Sequence, residues 1–127
     1  MIKAAIMGYG TIGSGVLEVL QINQSSIAKR VGDGIEVKYI LDLRDFPGEP
    51  IQDKIVHDYK TIAEDEEVRI VVETMGGVEP AYTFVKTMLE AGKHVTTSNK
   101  ALVAAKGAEL IALAKEKNVN FMFEASV

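Results

Sequence analysis

The chain opens on an apolar run, Ile2 and Ala4-Ala5-Ile6-Met7, and then changes period. Past the glycines at 8, 10 and 13, Val16, Leu17, Val19 and Leu20 recur at the three- and four-residue spacing of a helix. The pattern predicts a first strand, a glycine turn, and a helix from Thr11 to near Ala28 that ends before the Gly32-Asp33-Gly34 turn signal. Ile35 to Leu41 alternates and is rich in β-branched residues, which reads as a second strand. Phe46-Pro47-Gly48-Glu49-Pro50 reads as a loop, because two prolines and a glycine interrupt both helix and sheet hydrogen bonding. Lys54 to Val56 adds a short strand and Thr61 to Asp65 a short helix.

Val68 to Thr74 has the near-continuous apolar centre of a strand buried on both faces of a parallel sheet, and Gly76-Gly77 ends it. Pro80 suits the first turn of the next helix, where a missing N–H costs nothing. Ala81, Phe84, Val85, Met88 and Leu89 make one apolar face of that helix, and Gly92 closes it. His94 to Thr97 is a further strand. Ala101 to Ala105 and Ala108 to Lys117 read as helix broken around Gly107, and Val119 to Phe123 as the last strand. Strands alternating with helices throughout predict an α/β fold, a doubly wound Rossmann-type parallel sheet with ligands at the carboxyl ends of its strands. No internal repeat or linker divides the chain, so residues 1–127 are expected to form a single domain.

Composition narrows the partners. The chain is 47% hydrophobic and 25% charged, the balance of a globular domain with a real core. A net charge of −4 without a basic run points away from nucleic acid, and few aromatics leave no platform for stacked bases. The apolar segments are too short to span a bilayer, so no membrane association is expected. Because the first residues already form a core strand, no signal peptide is expected. With no cysteine for disulfides or thiolate metal sites, a cytoplasmic location is expected.

The residues that can carry chemistry each follow a strand and so share one sheet edge. In Gly8-Tyr9-Gly10-Thr11-Ile12-Gly13, Gly8 permits the tight turn, Gly10 lets the backbone approach a pyrophosphate, and Gly13 lets helix and strand pack closely. The free N–H groups of the first helical turn and the positive end of the helix dipole suit a bound diphosphate. The plainer alternative is turn and packing glycines alone. Asp42, at the end of the second strand, is placed to accept the adenosine ribose hydroxyls, although it falls about thirty residues past Gly13 instead of the usual ~20. Arg44 is placed to face a 2′-phosphate instead; a third reading is that Asp42, Arg44 and Asp45 only solvate a loop. Thr74-Met75-Gly76-Gly77 puts a hydroxyl and small residues where the nicotinamide half of a cofactor should lie, or is simply a glycine turn. Lys100, after Ser98-Asn99 and opening a helix, can project over the cleft to donate a proton or stabilise a developing alkoxide; the alternative is a solvated surface charge. His57 and His94 have no second ligand at metal spacing and read as structural.

At these residues the chain resembles the nucleotide-binding domain of homoserine dehydrogenase almost from end to end. The resemblance rests on the Gly8–Gly15 turn, on Val72-Glu73-Thr74-Met75-Gly76-Gly77, and on Gly92-Lys93-His94-Val95-Thr96-Thr97-Ser98-Asn99-Lys100-Ala101-Leu102. It closes with Phe123-Glu124-Ala125-Ser126-Val127. The Ser-Asn-Lys-Ala-Leu and Phe-Glu-Ala-Ser-Val pieces are far more specific than the glycine turn.

The resemblance implies an oxidoreductase of threonine and methionine biosynthesis that interconverts L-aspartate 4-semialdehyde and L-homoserine with NAD or NADP. It implies that Lys100 serves in proton transfer beside nicotinamide and substrate, and that Thr11, Ile12, Thr74, Ser98 and Lys100 contact the cofactor. It further implies that Glu124 and the backbone carbonyl of Val127 help hold a monovalent cation, usually sodium. Asp42-Leu43 intervenes before Arg44-Asp45 where many family members carry Arg-Asp directly, so the choice between NAD and NADP stays open. The family continues past the position of Val127 into a substrate and dimerisation region with a second catalytic lysine. The expectation is therefore a cofactor domain that binds but does not turn over alone, belonging to an enzyme that is a homodimer when complete. Two other functions share the same pattern: a stand-alone NAD(H)-sensing module, or another small-substrate dehydrogenase such as one acting on aspartate.

Overall fold

The computed structural model describes residues 2–22 and 34–123. In chain order these form β1 (Ile2–Met7), α1 (Thr11–Ile22), β2 (Ile35–Leu41), a 3₁₀ turn (Pro50–Lys54) and β3 (Ile55–Val56). There follow α2 (Tyr59–Glu64), β4 (Val68–Glu73), α3 (Ala81–Glu90), β5 (His94–Thr97), α4 (Lys100–Lys117) and β6 (Phe121–Phe123). The six strands make one sheet in the order β3-β2-β1-β4-β5-β6, and every pairing is parallel. That order reverses direction between β1 and β4, which opens a crevice at the carboxyl ends of those two strands.

The two faces of the sheet are filled separately, as the winding requires. Ala5, Met7, Val71 and Val95 face the side where Ile62 of α2, Val85, Met88 and Leu89 of α3, and Leu102 and Leu110 of α4 are buried. Ile6, Val37 and Ile40 face the other side, under Leu17 of α1 and Ile51 of the 3₁₀ turn. Alternation along β1 therefore sends Ala5 and Met7 one way and Ile6 the other, as the pleat demands. Burial of side chains of this size contributes about 1.5–3 kcal/mol each, so the sheet holds its loops on a stiff frame.

Several boundaries differ from those the sequence predicts. α4 runs unbroken through Gly107, because its buried face of Leu102, Gly107, Leu110 and Ala114 offsets the ~1 kcal/mol that a mid-helix glycine costs. Pro50 opens a 3₁₀ turn where the sequence suggested loop, and Asp58 caps α2 by accepting the Lys60 N–H, so that helix starts at Tyr59 and not Thr61. Pro80 sits just before α3 instead of in its first turn. The predicted end of the first helix near Ala28 lies outside the described residues.

Candidate functional site

The glycine turn joins β1 to α1 over the crevice. Gly8 adopts φ +101°, a conformation that favours glycine, and its N–H donates to the Leu41 carbonyl at 2.8 Å. A Cβ at Gly13 would lie 2.0 Å from the Gly8 carbonyl oxygen, so only glycine lets α1 come this close to the turn. At Gly10 a Cβ would meet nothing within 4 Å, and the residue is exposed. Packing accounts for Gly8 and Gly13. It leaves Gly10 unexplained: open space lies above Gly10 beside the first turn of α1, which Thr11 and Ile12 begin, and a helix N-terminus of this kind suits an anion.

Thr74, the first residue past β4, fastens this turn from the neighbouring strand. Its hydroxyl lies 2.6 Å from the Gly8 carbonyl and 3.1 Å from that of Met7. The sequence reading placed this hydroxyl beside the nicotinamide; here its single proton goes to the backbone of the glycine turn. Met75 closes the same contact, since a Cβ at Gly8 would come within 2.9 Å of Met75 Cγ. Gly76 is exposed at the tip of the loop.

Asp42 and Arg44 lie together at the end of β2. Asp42 Oδ2 accepts the Tyr9 N–H at 3.0 Å and Arg44 Nη2 at 2.9 Å, while Oδ1 accepts the Arg44 N–H at 2.9 Å and Nε at 3.0 Å. These bonds, led by the Arg44 guanidinium, hold the Asp42 carboxyl well below the usual carboxylate range. Arg44 also donates to the Tyr9 carbonyl at 2.7 Å and lies over the Phe46 ring, 5.2 Å from its centroid. His57 bonds the Asp42 carbonyl at 2.7 Å and Asp45 at 2.9 Å, which raises its pKa. Beside this cluster a cavity of about 380 Å³ opens between Gly8, Asp42, Leu43, Met75, Pro80 and Phe84. Its walls are mainly apolar and its polar groups sit at one rim, the usual make-up of a small-molecule site.

On the other side of the glycine turn, Lys100 is exposed and begins α4 directly after its cap, Asn99, whose Oδ1 accepts the Leu102 N–H at 3.1 Å. A cation at a helix N-terminus opposes the dipole by about 0.3–1 kcal/mol, so helix stability does not account for a lysine here. Ser98 is half-buried and its N–H points to the Glu73 carbonyl. Under these residues lies a group the sequence reading did not single out. Glu73, fully buried at the end of β4, accepts the Thr97 hydroxyl at 2.5 Å and faces Asn99 Nδ2 at 3.5 Å. The signal was present in the sequence only as one acidic residue closing an apolar strand; its partners become visible once β4 and β5 pair in register, Glu73 opposite Thr97. Glu124 and Val127, expected to hold a cation, lie outside the described residues. Among the described residues no cluster of His, Asp or Glu could hold a metal ion.

A parallel sheet of this order, with a tight glycine turn into a helix and an apolar cavity beside it, defines the class as a dinucleotide-binding α/β domain. The chain belongs to the family of homoserine dehydrogenase NAD-binding domains, whose model matches residues 8–124. It is 42% identical to the homoserine dehydrogenase of Pseudomonas aeruginosa over 127 residues, covering 99% of this chain and 29% of that protein. With the Bacillus subtilis enzyme the identity is 38% over 133 residues, covering 99% and 30%. Among solved structures, Staphylococcus aureus homoserine dehydrogenase at pH 8.5 superposes with a TM-score of 0.89 at 36% identity, over 98% of this chain and 32% of that one. The homoserine dehydrogenase of Thiobacillus denitrificans gives a TM-score of 0.89 at 36% identity, over 99% and 30%. The chain thus spans about three tenths of the length of the relatives it matches. No helix among the described residues is long and apolar enough to cross a membrane.

Proposed function

We propose that this chain is the cofactor-binding part of an enzyme that interconverts L-aspartate 4-semialdehyde and L-homoserine with NAD or NADP. The observation that carries the reading is the Gly8–Gly13 turn at the switch point of the sheet, in a chain matched to the family model over residues 8–124. When bound, the cofactor supplies or accepts the hydride. The open space at Gly10 and the first-turn N–H groups of Thr11 and Ile12 receive the diphosphate, with Gly8 and Gly13 shaping the turn that presents them. Asp42 and Arg44 flank the adenosine half, and Met75, Gly76 and Ser98 border the nicotinamide half. Thr74 contributes by holding the turn through Gly8.

Lys100 acts on the substrate oxygen. Placed at the start of α4, its ammonium offers positive charge and a proton where an alkoxide forms as the aldehyde is reduced, and takes the proton back in the reverse direction. Glu124 and the Val127 carbonyl belong to this proposal as oxygen ligands of a sodium ion, the donor type a hard cation takes. In the proposal the substrate-orienting groups lie outside this chain, so the 127-residue chain by itself does not turn over; the complete enzyme is proposed to be a homodimer.

The test is steady-state kinetics of Lys100→Met in the complete enzyme, with cofactor affinity measured separately. General acid–base roles are worth roughly 10²–10⁴ in rate, so kcat falls by at least about a hundredfold while the cofactor Kd moves far less. A kcat within a few fold of the parent makes Lys100 a surface lysine and contradicts its assignment.

A further inference from the structure

The buried carboxyl of Glu73 has no cationic partner among the described residues, and the mechanism above makes no use of it. Such a group is costly to bury unless its acceptor sites are filled. Here donors from β5 and the turn after it reach them. Thr97 Oγ1 donates from the end of β5 at 2.5 Å, Asn99 Nδ2 approaches from the β5–α4 turn at 3.5 Å, and the Met75 N–H favours the charged form of the carboxyl. Asn99 carries the link further: Nδ2 donates to the Gly77 carbonyl at 2.6 Å, its own N–H donates to Thr97 Oγ1 at 2.9 Å, and Oδ1 caps α4. The turn holding Met75, Gly76 and Gly77 and the turn holding Ser98 and Lys100 are thereby bonded to each other by Asn99, whose amide faces the Glu73 carboxyl and whose N–H is held by Thr97.

We infer that Glu73 is a positioning residue for the nicotinamide half of the site, fixing the Met75–Gly77 turn and the start of α4 at the separation that a nicotinamide and the Lys100 ammonium require. The inference rests on the reading that those turns border the nicotinamide. The chemistry of the residue follows from its donors. Thr97 and Asn99 aim donors at separate oxygens of the carboxyl, and a carboxylate can accept both, whereas an amide offers one oxygen and turns an NH₂ toward the other donor. Glu73→Gln therefore keeps size and shape yet forces the two turns apart. The glycine turn is held separately by Thr74 and Leu41 and meets this network only at the Met75 side chain, so the diphosphate and adenosine positions move least.

Two ligands separate the halves: NADH, and ADP-ribose, which lacks only the nicotinamide. Both are titrated calorimetrically into the 127-residue chain, its Glu73→Gln variant, and Asn99→Ser, which retains a helix-capping hydroxyl but loses the donor to Gly77. The expected result is a loss of roughly five- to tenfold in NADH affinity in both variants, with ADP-ribose within twofold of the parent. Equal losses for the two ligands, no loss for either, or failure of both variants to fold would assign the network to stability alone and overturn the inference. If only Glu73→Gln fails to fold, Asn99→Ser decides. A parent chain that binds neither ligand contradicts the cofactor reading itself. A parent that binds both ligands alike contradicts the nicotinamide placement and with it the role of Glu73.

Discussion

At the scale of single residues, the proposed cofactor site gives the Asp42–Arg44 pair the choice of coenzyme to make, and its hydrogen bonds say in which direction. An ionised carboxyl has about four acceptor positions, and in Asp42 all are taken, by the Tyr9 N–H and by three donors of Arg44. A ribose hydroxyl can enter only by displacing one of them. Arg44 spends its Nε and Nη2 donors on Asp42 and Tyr9, which leaves the two N–H bonds of Nη1 without a partner among the described residues. Its side chain is 60% exposed at the rim of the cavity. An arginine in that state can bind a 2′-phosphate while it neutralises the aspartate that would otherwise repel it. Arg44→Ala is expected to weaken NADP by about tenfold or more, the worth of hydrogen bonds to a charged group, and to leave NAD unchanged or tighter by freeing Asp42. The check is the ratio of the two dissociation constants, and an unchanged ratio would move the discrimination elsewhere.

Among the elements, the two edges of the sheet are fastened by different chemistry. At the carboxyl edge, neutral or buried bonds such as Thr74 to Gly8 and Thr97 to Glu73 fasten the turns after β1, β4 and β5, and among the described residues exposed charge pairs are found there only past β2, at Asp42–Arg44 and His57–Asp45. At the amino edge, exposed and half-buried charges tie the α2–β4 loop down. Lys38 of β2 reaches Asp65 at 2.6 Å and Glu67 at 2.8 Å, Tyr39 donates to Asp65 at 2.7 Å, and buried Lys93 donates to the carbonyls of Asp65 and Val68 at 2.7 Å each. The Lys38 and Tyr39 bonds pull the Asp65 pKa down to about 2. A carboxyl lowered on folding stabilises the native state above its unfolded pKa, near 3.9, and loses that contribution as pH falls toward 2. Between those limits the urea midpoint of the parent chain should fall with pH more steeply than that of Asp65→Asn. Parallel curves would mean that the loop is held without this carboxylate. The contrast between edges was only half legible in the sequence. Order and type of the strands followed from hydrophobic period and turn residues, because those are local. The hydrogen bonds of Asp65, Lys93 and Glu73 span about 24–28 residues each, so they depend on which strands become neighbours. Gly107 shows the reverse failure, a local breaker overruled by the packing of α4 against α3.

For the molecule as a whole, a doubly wound sheet gathers the Gly8 turn, Asp42, Thr74 and Lys100 along one edge although they are far apart in sequence. The candidate site was readable in advance to that extent, since each of those residues follows a strand. Its internal wiring was not, and Thr74 is the instance: the same position that reads as a ligand contact serves as the brace of the glycine turn. What unites these features is the claim that the Gly8–Gly13 turn receives the diphosphate of a nicotinamide dinucleotide. Its most direct test is calorimetric titration of NADH into the chain and into Gly10→Val. Since a Cβ at Gly10 meets nothing within 4 Å, the variant should melt within a few degrees of the parent and bind no NADH, whereas the parent shows saturable binding. Equal affinity in the two proteins would contradict the account.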